Sequence, residues 1–212
     1  ESYHAGSCGA QFNALALELF ALQFASNQPY RTICETRGVT PLTVSHWSQI
    51  PAVSTGAFKE RDFTCLSPGE RTHVFHSSGT TERRPSRHFH NAESLAIYEA
   101  SLWPGLAENF RLPTADGRLL ILTPSPTQTP HSSLVYMFNF VRRNLGAEAG
   151  DFVGRVGADG GWTVDCDGAL AVLTSDDSRP LLVLGTAFSL VPLLEELAAR
   201  NARLQLPSGS RV

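Results

Sequence analysis

Apolar residues cover nearly every side of the stretch from Phe12 to Ser26. Phe12, Leu15, Leu19 and Leu22 form one helical stripe, with Phe20 and Phe24 beside it. A helix apolar on most faces is buried against other elements. Thr40 followed by Pro41 reads as an N-cap and first helical residue, which predicts a short helix over 42–47. Ile50-Pro51 opens an irregular stretch that runs to about Gly69. From His73 the pattern changes to strands and helices in alternation. His73-Val74-Phe75-His76 predicts a strand, and Asn91 caps a predicted helix over 92–109. Leu119-Leu120-Ile121-Leu122 is a continuous apolar strand of the kind buried in a parallel sheet. A loop rich in Pro and Thr leads to a helix from Ser132 to about Asn144, stopped by Gly146. Beyond it the pattern predicts a small hairpin within 152–164, a short helix over 168–174 and a buried strand over 181–184. A helix over 188–200 and a short strand over 204–206 follow.

This alternation predicts an α/β fold, a mainly parallel sheet with helices on both faces. Residues 1–72 are expected to form a helical accessory segment and 73–212 the α/β region. Arg211-Val212 resembles the opening of a further strand, so the chain is expected to be cut off within a larger domain.

Composition narrows the function classes. A chain of 212 residues fits one large domain or two small ones. The net charge of −3 excludes a polyanion as the main partner, because nucleic-acid binding needs a dense positive face. Of the 17 Lys and Arg residues, Lys59 alone is lysine. Cys8, Cys34, Cys65 and Cys166 are irregularly spaced with no C-x-x-C pair, which signals neither a zinc site nor a disulfide framework. Scattered thiols fit a reducing compartment, and the cytoplasm is expected. The apolar run from Ala14 to Ala25 is interrupted by Glu18 and Gln23 and is too short to span a bilayer. No basic region precedes it, so a signal peptide is not expected and the membrane is excluded as a partner.

The chemistry concentrates after the first predicted strand. His76-Ser77-Ser78-Gly79-Thr80-Thr81 is small, rich in hydroxyls and centred on glycine. Such a loop can turn N–H groups and hydroxyls toward one point, as a polyphosphate requires. Gly79 lets the backbone approach without a Cβ, and Arg83, Arg84 and Arg87 can add bidentate phosphate contacts. The Gly-Lys-Ser/Thr ending of a Walker A loop is missing. On composition alone a solvated turn is the commoner explanation.

Ser77-Ser78-Gly79-Thr80-Thr81 resembles the phosphate loop of the acyl-adenylate-forming superfamily. With Ser86-Arg87-His88, Ile50-Pro51, Phe58-Lys59, Ser132-Ser133-Leu134-Val135-Tyr136-Met137 and Gly185-Thr186-Ala187-Phe188, the chain resembles the LuxE-type acyl-protein synthetase family, related to phenylacetate–CoA ligases. The similarity runs from about Phe12 to Val212. It implies the amino-terminal part of an adenylate-forming enzyme domain, with ATP and Mg²⁺ as cofactors. By that resemblance Ser77, Ser78, Gly79, Thr80 and Thr81 hold the ATP phosphates. Gly185, Thr186, Ala187 and Phe188 lie beside the adenine, and His131, Ser132, Ser133, Tyr136 and Met137 border the acyl pocket. The family activates a fatty acid as acyl-AMP, moves the acyl group to its own cysteine and passes it to a reductase partner.

Two departures stand out. Glu82 occupies the position of a family glycine; a carboxylate about 4 Å from a phosphate charge costs roughly 1 kcal/mol in water-like surroundings and roughly 4 at an effective dielectric of about 20. Arg83, Arg84 and Mg²⁺ can offset that if Glu82 points outward. The family's acidic motif, ribose-binding Asp, acyl-accepting cysteine and mobile lysine have no counterpart in these residues, so no catalytic residue is assigned. A catalytically inactive nucleotide- or acyl-binding module is the alternative, and a structural or interaction domain is the third reading.

Other clusters have plainer readings. His73, His76, His88 and His90 are expected on two separate strand edges with no Cys or acidic residue at a matching spacing, so no metal site is assigned. His131 beside Ser132 and Ser133 lacks the G-x-S-x-G elbow of a serine hydrolase. Asp159-Gly160-Gly161 and Asp167-Gly168 read as turns, and Asp176-Asp177 as a solvated pair. Trp47, Trp103 and Trp162 read as packing residues.

Overall fold

The computed structural model describes residues 3–77, 84–110, 117–146 and 150–212. The chain divides into two compact units, Glu1–Glu93 and Ser94–Val212.

The first unit opens with α1 (Tyr3–Ser26), followed at once by α2 (Gln28–Thr36). Asn27-Gln28-Pro29 looks like a chain break in sequence, yet it starts α2. Asn27 Oδ1 accepts a hydrogen bond from the Tyr30 N–H at 3.3 Å, and proline fits the first turn because its missing N–H has no helical partner there. Phe20, Tyr30, Cys34 and Val44 form the core of this unit, joined by Phe24, Ile50, Val53 and Phe63. Tyr30 O–H donates to Pro51 O at 2.9 Å and so ties the irregular stretch to α2. The expectation that α1 is buried on most sides is not met: Phe12, Leu15, Leu19 and Leu22 are half exposed, because only the side carrying Phe20 packs on α2 and the following loops.

The predicted helix over 42–47 is also absent. Thr43 Oγ1 folds back on the Thr40 N–H and carbonyl, and Gln49 Oε1 takes the N–H groups of Ser45 and His46. These side chains compete with helical hydrogen bonding, and only a short 3₁₀ turn over Trp47–Gln49 forms. One helical turn, α3 (Ala57–Glu60), precedes β1 (His73–His76) and β2 (Arg87–His90), which pair antiparallel. The register sets His73 opposite His90 and Phe75 opposite His88. Of the histidines expected on separate strand edges, His73, His88 and His90 therefore share a face, while His76, opposite Arg87, lies on the other. Phe75 contacts His73 at 4.7 Å and His90 at 5.1 Å between ring centroids. Burial, and then His73 and His88, hold the His90 imidazole below its usual pKa. Among the described residues no group of three or more His, Cys, Asp or Glu is arranged to hold a metal.

The second unit is the α/β part. After α4 (Ala92–Phe110) come β3 (Arg118–Ile121), α5 (Ser133–Leu145), β4 (Gly150–Phe152), β5 (Gly154–Val156), β6 (Trp162–Val164), α6 (Cys166–Leu173), β7 (Leu181–Leu184) and α7 (Ala187–Ala199). The three strands β4-β3-β7 form a parallel sheet in that order, and β5 and β6 form a separate antiparallel hairpin. Alternation along the strands divides the core. Leu119, Ile121 and Leu182 face Phe138, Val141 and Leu145 of α5 and Trp103 of α4. Leu120, Leu122, Leu181 and Val183 face Ala169 and Leu170 of α6 and Leu193 of α7. Both faces of the parallel sheet carry helices, as the continuous apolar strands require. Among the described residues no helix is long and apolar enough to cross a membrane.

Local expectations fare unevenly. Gly146, with φ of 106°, follows the last residue of α5 as anticipated. Asp159-Gly160 is a turn, with the Gly161 N–H donating to Asp159 Oδ1 at 2.9 Å. Asp167-Gly168 instead lies in the first turn of α6, whose N-cap Asp165 accepts from the Gly168 N–H at 3.0 Å. No strand forms over 204–206. The free edge of β7 is taken instead by Arg211, which bridges Leu182 in parallel through 2.9 Å bonds to Leu181 O and from the Val183 N–H. Asp177 is no solvated bystander: it pairs with Arg179 at 2.6 Å and with Arg118 at 3.6 Å.

Candidate functional site

In an open α/β sheet, ligands bind outside the carboxyl ends of the strands, where connections leave toward opposite faces. Here that point lies between β3 and β7. The chain leaving β3 runs to α5 on one face, and the chain leaving β7 runs to α7 on the other. The Leu122 N–H donates to Leu184 O at 2.8 Å, so the two strands stay paired to their last residues before the loops diverge.

Gly185 is the first residue past β7, and a Cβ there would fall 2.7 Å from Ser189 Oγ and 3.2 Å from the Leu122 side chain. The turn into α7 is therefore built tightly on the end of β3. Ser189 Oγ accepts from the Thr186 N–H at 2.8 Å and donates to Thr186 O at 2.9 Å, closing a capping box around the first turn. The turn ends on Phe188, which is 93% exposed at the start of α7. An aromatic ring standing free at the carboxyl edge of a parallel sheet offers a flat face on which a heteroaromatic ring can stack.

On the β3 side, Thr123 and Pro124 are buried directly after Leu122. The Thr123 hydroxyl has no hydrogen-bond partner among the described residues. Gly154 closes the neighbouring strand end: its N–H donates to Thr123 O at 3.0 Å, and a Cβ there would fall 2.2 Å from the Thr123 carbonyl carbon. The loop onward is braced by its own side chains, with Ser125 Oγ 2.8 Å from Thr127 Oγ1.

The residues expected at the acyl pocket separate into different roles. His131 and Ser133 are exposed. Ser132 is the N-cap of α5, its Oγ accepting from the Val135 N–H at 3.3 Å. Tyr136 O–H donates to Glu99 Oε1 at 2.8 Å, and Arg143 donates to the same oxygen at 2.7 Å. Burial, followed by Glu99, raises the Tyr136 phenol above its usual pKa, so it stays protonated. Met137 packs against the sheet core. His131, Ser132 and Ser133 close the loop from β3 at the start of α5.

Of the expected phosphate loop, Ser78, Gly79, Thr80 and Thr81 lie outside the described residues, as do Glu82 and Arg83. Its neck is described. The Ser77 N–H donates to Ser86 O at 3.1 Å, and Ser77 Oγ accepts from the Ser86 N–H at 2.9 Å. The buried Ser86 hydroxyl is 3.0 Å from His88 Nε2, and the His88 ring stacks on Phe58 at 5.4 Å. Ser77 is thus the latch that closes the β1–β2 hairpin. Sequence reasoning grouped it with the loop and missed Ser86 and His88 as its anchor; Ser-x-His two apart on a strand is the signal. Arg87 and Arg84 are engaged with carboxylates, Asp62 at 2.7 Å and Glu60 at 3.6 Å.

Comparison of the chain with protein-family models and with curated proteins gives no match.

Proposed function

We propose that this chain binds ATP and a carboxylic acid and belongs to an enzyme that joins them as an acyl-adenylate for transfer to a protein cysteine. The observation that carries the reading is the turn at the carboxyl end of β7, where the chain diverges from that leaving β3, with glycine packed tightly at Gly185 and Phe188 exposed beside it. In this reading the exposed ring of Phe188 stacks on the adenine, and His131, Ser132 and Ser133 at the end of the β3 loop meet the acyl group. A second support is the motif Ser77-Ser78-Gly79-Thr80-Thr81 in the connection of a hairpin whose neck is held by Ser77, Ser86 and His88.

Mg²⁺ would arrive with the nucleotide, since Mg²⁺ in such sites is held mainly by substrate phosphates and water. Bound there, Mg²⁺ would neutralise phosphate charge. The protein's own part is to orient the nucleotide and the carboxylate. Glu82 favours the alternative of an inactive binding module; a fatty acid-dependent exchange of pyrophosphate into ATP by the full-length protein separates the two.

The test is ATP·Mg²⁺ affinity by calorimetry on the parent, Phe188→Ala and the pair Thr80→Val/Thr81→Val. Loss of charge-assisted hydroxyl bonds is expected to weaken binding by about 1–3 kcal/mol in the double variant. Phe188→Ala is expected to weaken it by a similar amount through lost stacking. If all three proteins bind alike, or the parent does not bind, the nucleotide reading falls.

A further inference from the structure

An unexplained apolar surface lies in the first unit, along α1. Phe12, Leu15, Leu19 and Leu22 follow one another at spacings of three, four and three residues, and each is about half exposed. That spacing makes a straight seam suited to a second helix. Trp47, also half exposed, packs edge-on to Phe12 at 5.7 Å and widens the ridge. Its position is fixed, since Asn13 Oδ1 accepts from the Trp47 N–H at 2.7 Å. Beside the ridge runs an open apolar groove of about 580 Å³ between α1 and the irregular stretch, walled by Leu15, Leu19, Ile50, Val53, Phe58 and Phe63. The polar groups at its inner end are already committed: Asn27 Nδ2 donates to Gln23 Oε1, and Tyr30 O–H donates to Pro51 O.

We infer that this face is a homodimer interface, in which the α1 ridge of each copy lies in the groove of the other about a two-fold axis. A ridge and a groove side by side on one surface are self-complementary, as an isologous contact requires. The area fits. Five half-exposed large side chains offer roughly 500 Å² of apolar surface, and the part-buried walls outside the ridge, Ile50, Val53, Phe58 and Phe63, bring this toward the lower end of the about 600–800 Å² per partner that a stable interface needs. Charge fits as well. Glu18 is the only Asp, Glu, Lys or Arg in α1, so like-charge repulsion between the two helices is confined to that one residue of each copy. The same neutrality excludes a lipid surface, since interfacial helices carry a Lys- and Arg-rich polar face and α1 has neither residue.

Sedimentation equilibrium of the 212-residue chain tests this over a hundredfold range of concentration. The parent is expected to pass from monomer to a species of twice its mass in the micromolar range. Leu15→Glu/Leu19→Glu, at exposed positions, is expected to weaken association at least a hundredfold with an unchanged far-ultraviolet spectrum. As a second variant that keeps the surface apolar, Leu19→Cys is expected to form an interchain disulfide on mild oxidation, whereas the parent forms none. A parent that stays monomeric throughout, or a Glu pair that associates as the parent does, would overturn the assignment. So would a Leu19→Cys chain that fails to cross-link.

Discussion

The tight turn at Gly185 sets a measurable limit on how closely β7 and α7 pack on the end of β3. A methyl group there meets Ser189 Oγ at 2.7 Å and the Leu122 side chain at 3.2 Å. Neither neighbour retreats cheaply. Leu122 is fully buried between β7 and α7, and Ser189 Oγ holds both the N–H and the carbonyl of Thr186. Crowding Leu122 costs about 1–3 kcal/mol, as overpacking does elsewhere. Displacing Ser189 removes a helix cap and costs about 1 kcal/mol more. The φ of Gly185 is not in the left-handed region, so alanine recovers about 0.4–1 kcal/mol by restricting the unfolded chain. Gly185→Ala should therefore destabilise the second unit by about 2 kcal/mol, read from urea unfolding followed by circular dichroism. In a Ser189→Ala background the hydroxyl is gone and its part of the clash with it. The crowding of Leu122 remains there, so the same change should cost about 1 kcal/mol less than in the parent, a coupling that a double-mutant cycle measures directly. If Gly185→Ala is as stable as the parent, or costs the same in both backgrounds, close approach to α7 is not the reason for glycine.

Two further outcomes are expected. Thr123→Val keeps shape and removes a buried, unpaired hydroxyl, so it should hold stability level or raise it by about 1 kcal/mol; a clear loss in the urea midpoint would show that the hydroxyl is bonded in solution. Hydrogen bonds from Arg179, and then the Arg118 charge, hold the Asp177 carboxyl well below the usual carboxylate range. A carboxyl depressed on folding stabilises above its unfolded pKa, near 4, and loses that contribution as pH falls through the lower folded value. The parent should therefore lead Asp177→Asn in urea midpoint at pH 6, with the lead shrinking toward pH 2; a lead independent of pH would refute the assignment.

Legibility differed sharply between the two units, and particular residues show why. Leu119–Leu122 and Leu181–Leu184 are apolar at every position, and only a parallel strand covered on both faces hides such a run. Ser132 and Gly146 bracket α5 within one residue of expectation, because capping depends on local hydrogen bonds. Trp103 packs within the core as read, at 6.3 Å from Phe140. Trp162 on β6 instead remains well exposed. In the first unit, Thr43 and Gln49 diverted a predicted helix through side-chain bonds that propensity does not weigh.

Local and periodic information in the chain determined the α/β class, the two buried strands and the caps of their helices, since these follow from nearest-neighbour sterics and the need to bury apolar runs. Tertiary structure alone decided which strands pair, with β4 and β7 flanking β3, because order in a sheet depends on contacts between residues far apart in sequence. It also decided that His73, His88 and His90 share one face, that Ser77 latches a hairpin through Ser86, and that the α1 stripe stays half exposed. Each of these is set by register or by the partner surface on hand. Periodicity records that a face is apolar; only the packed chain settles what covers it.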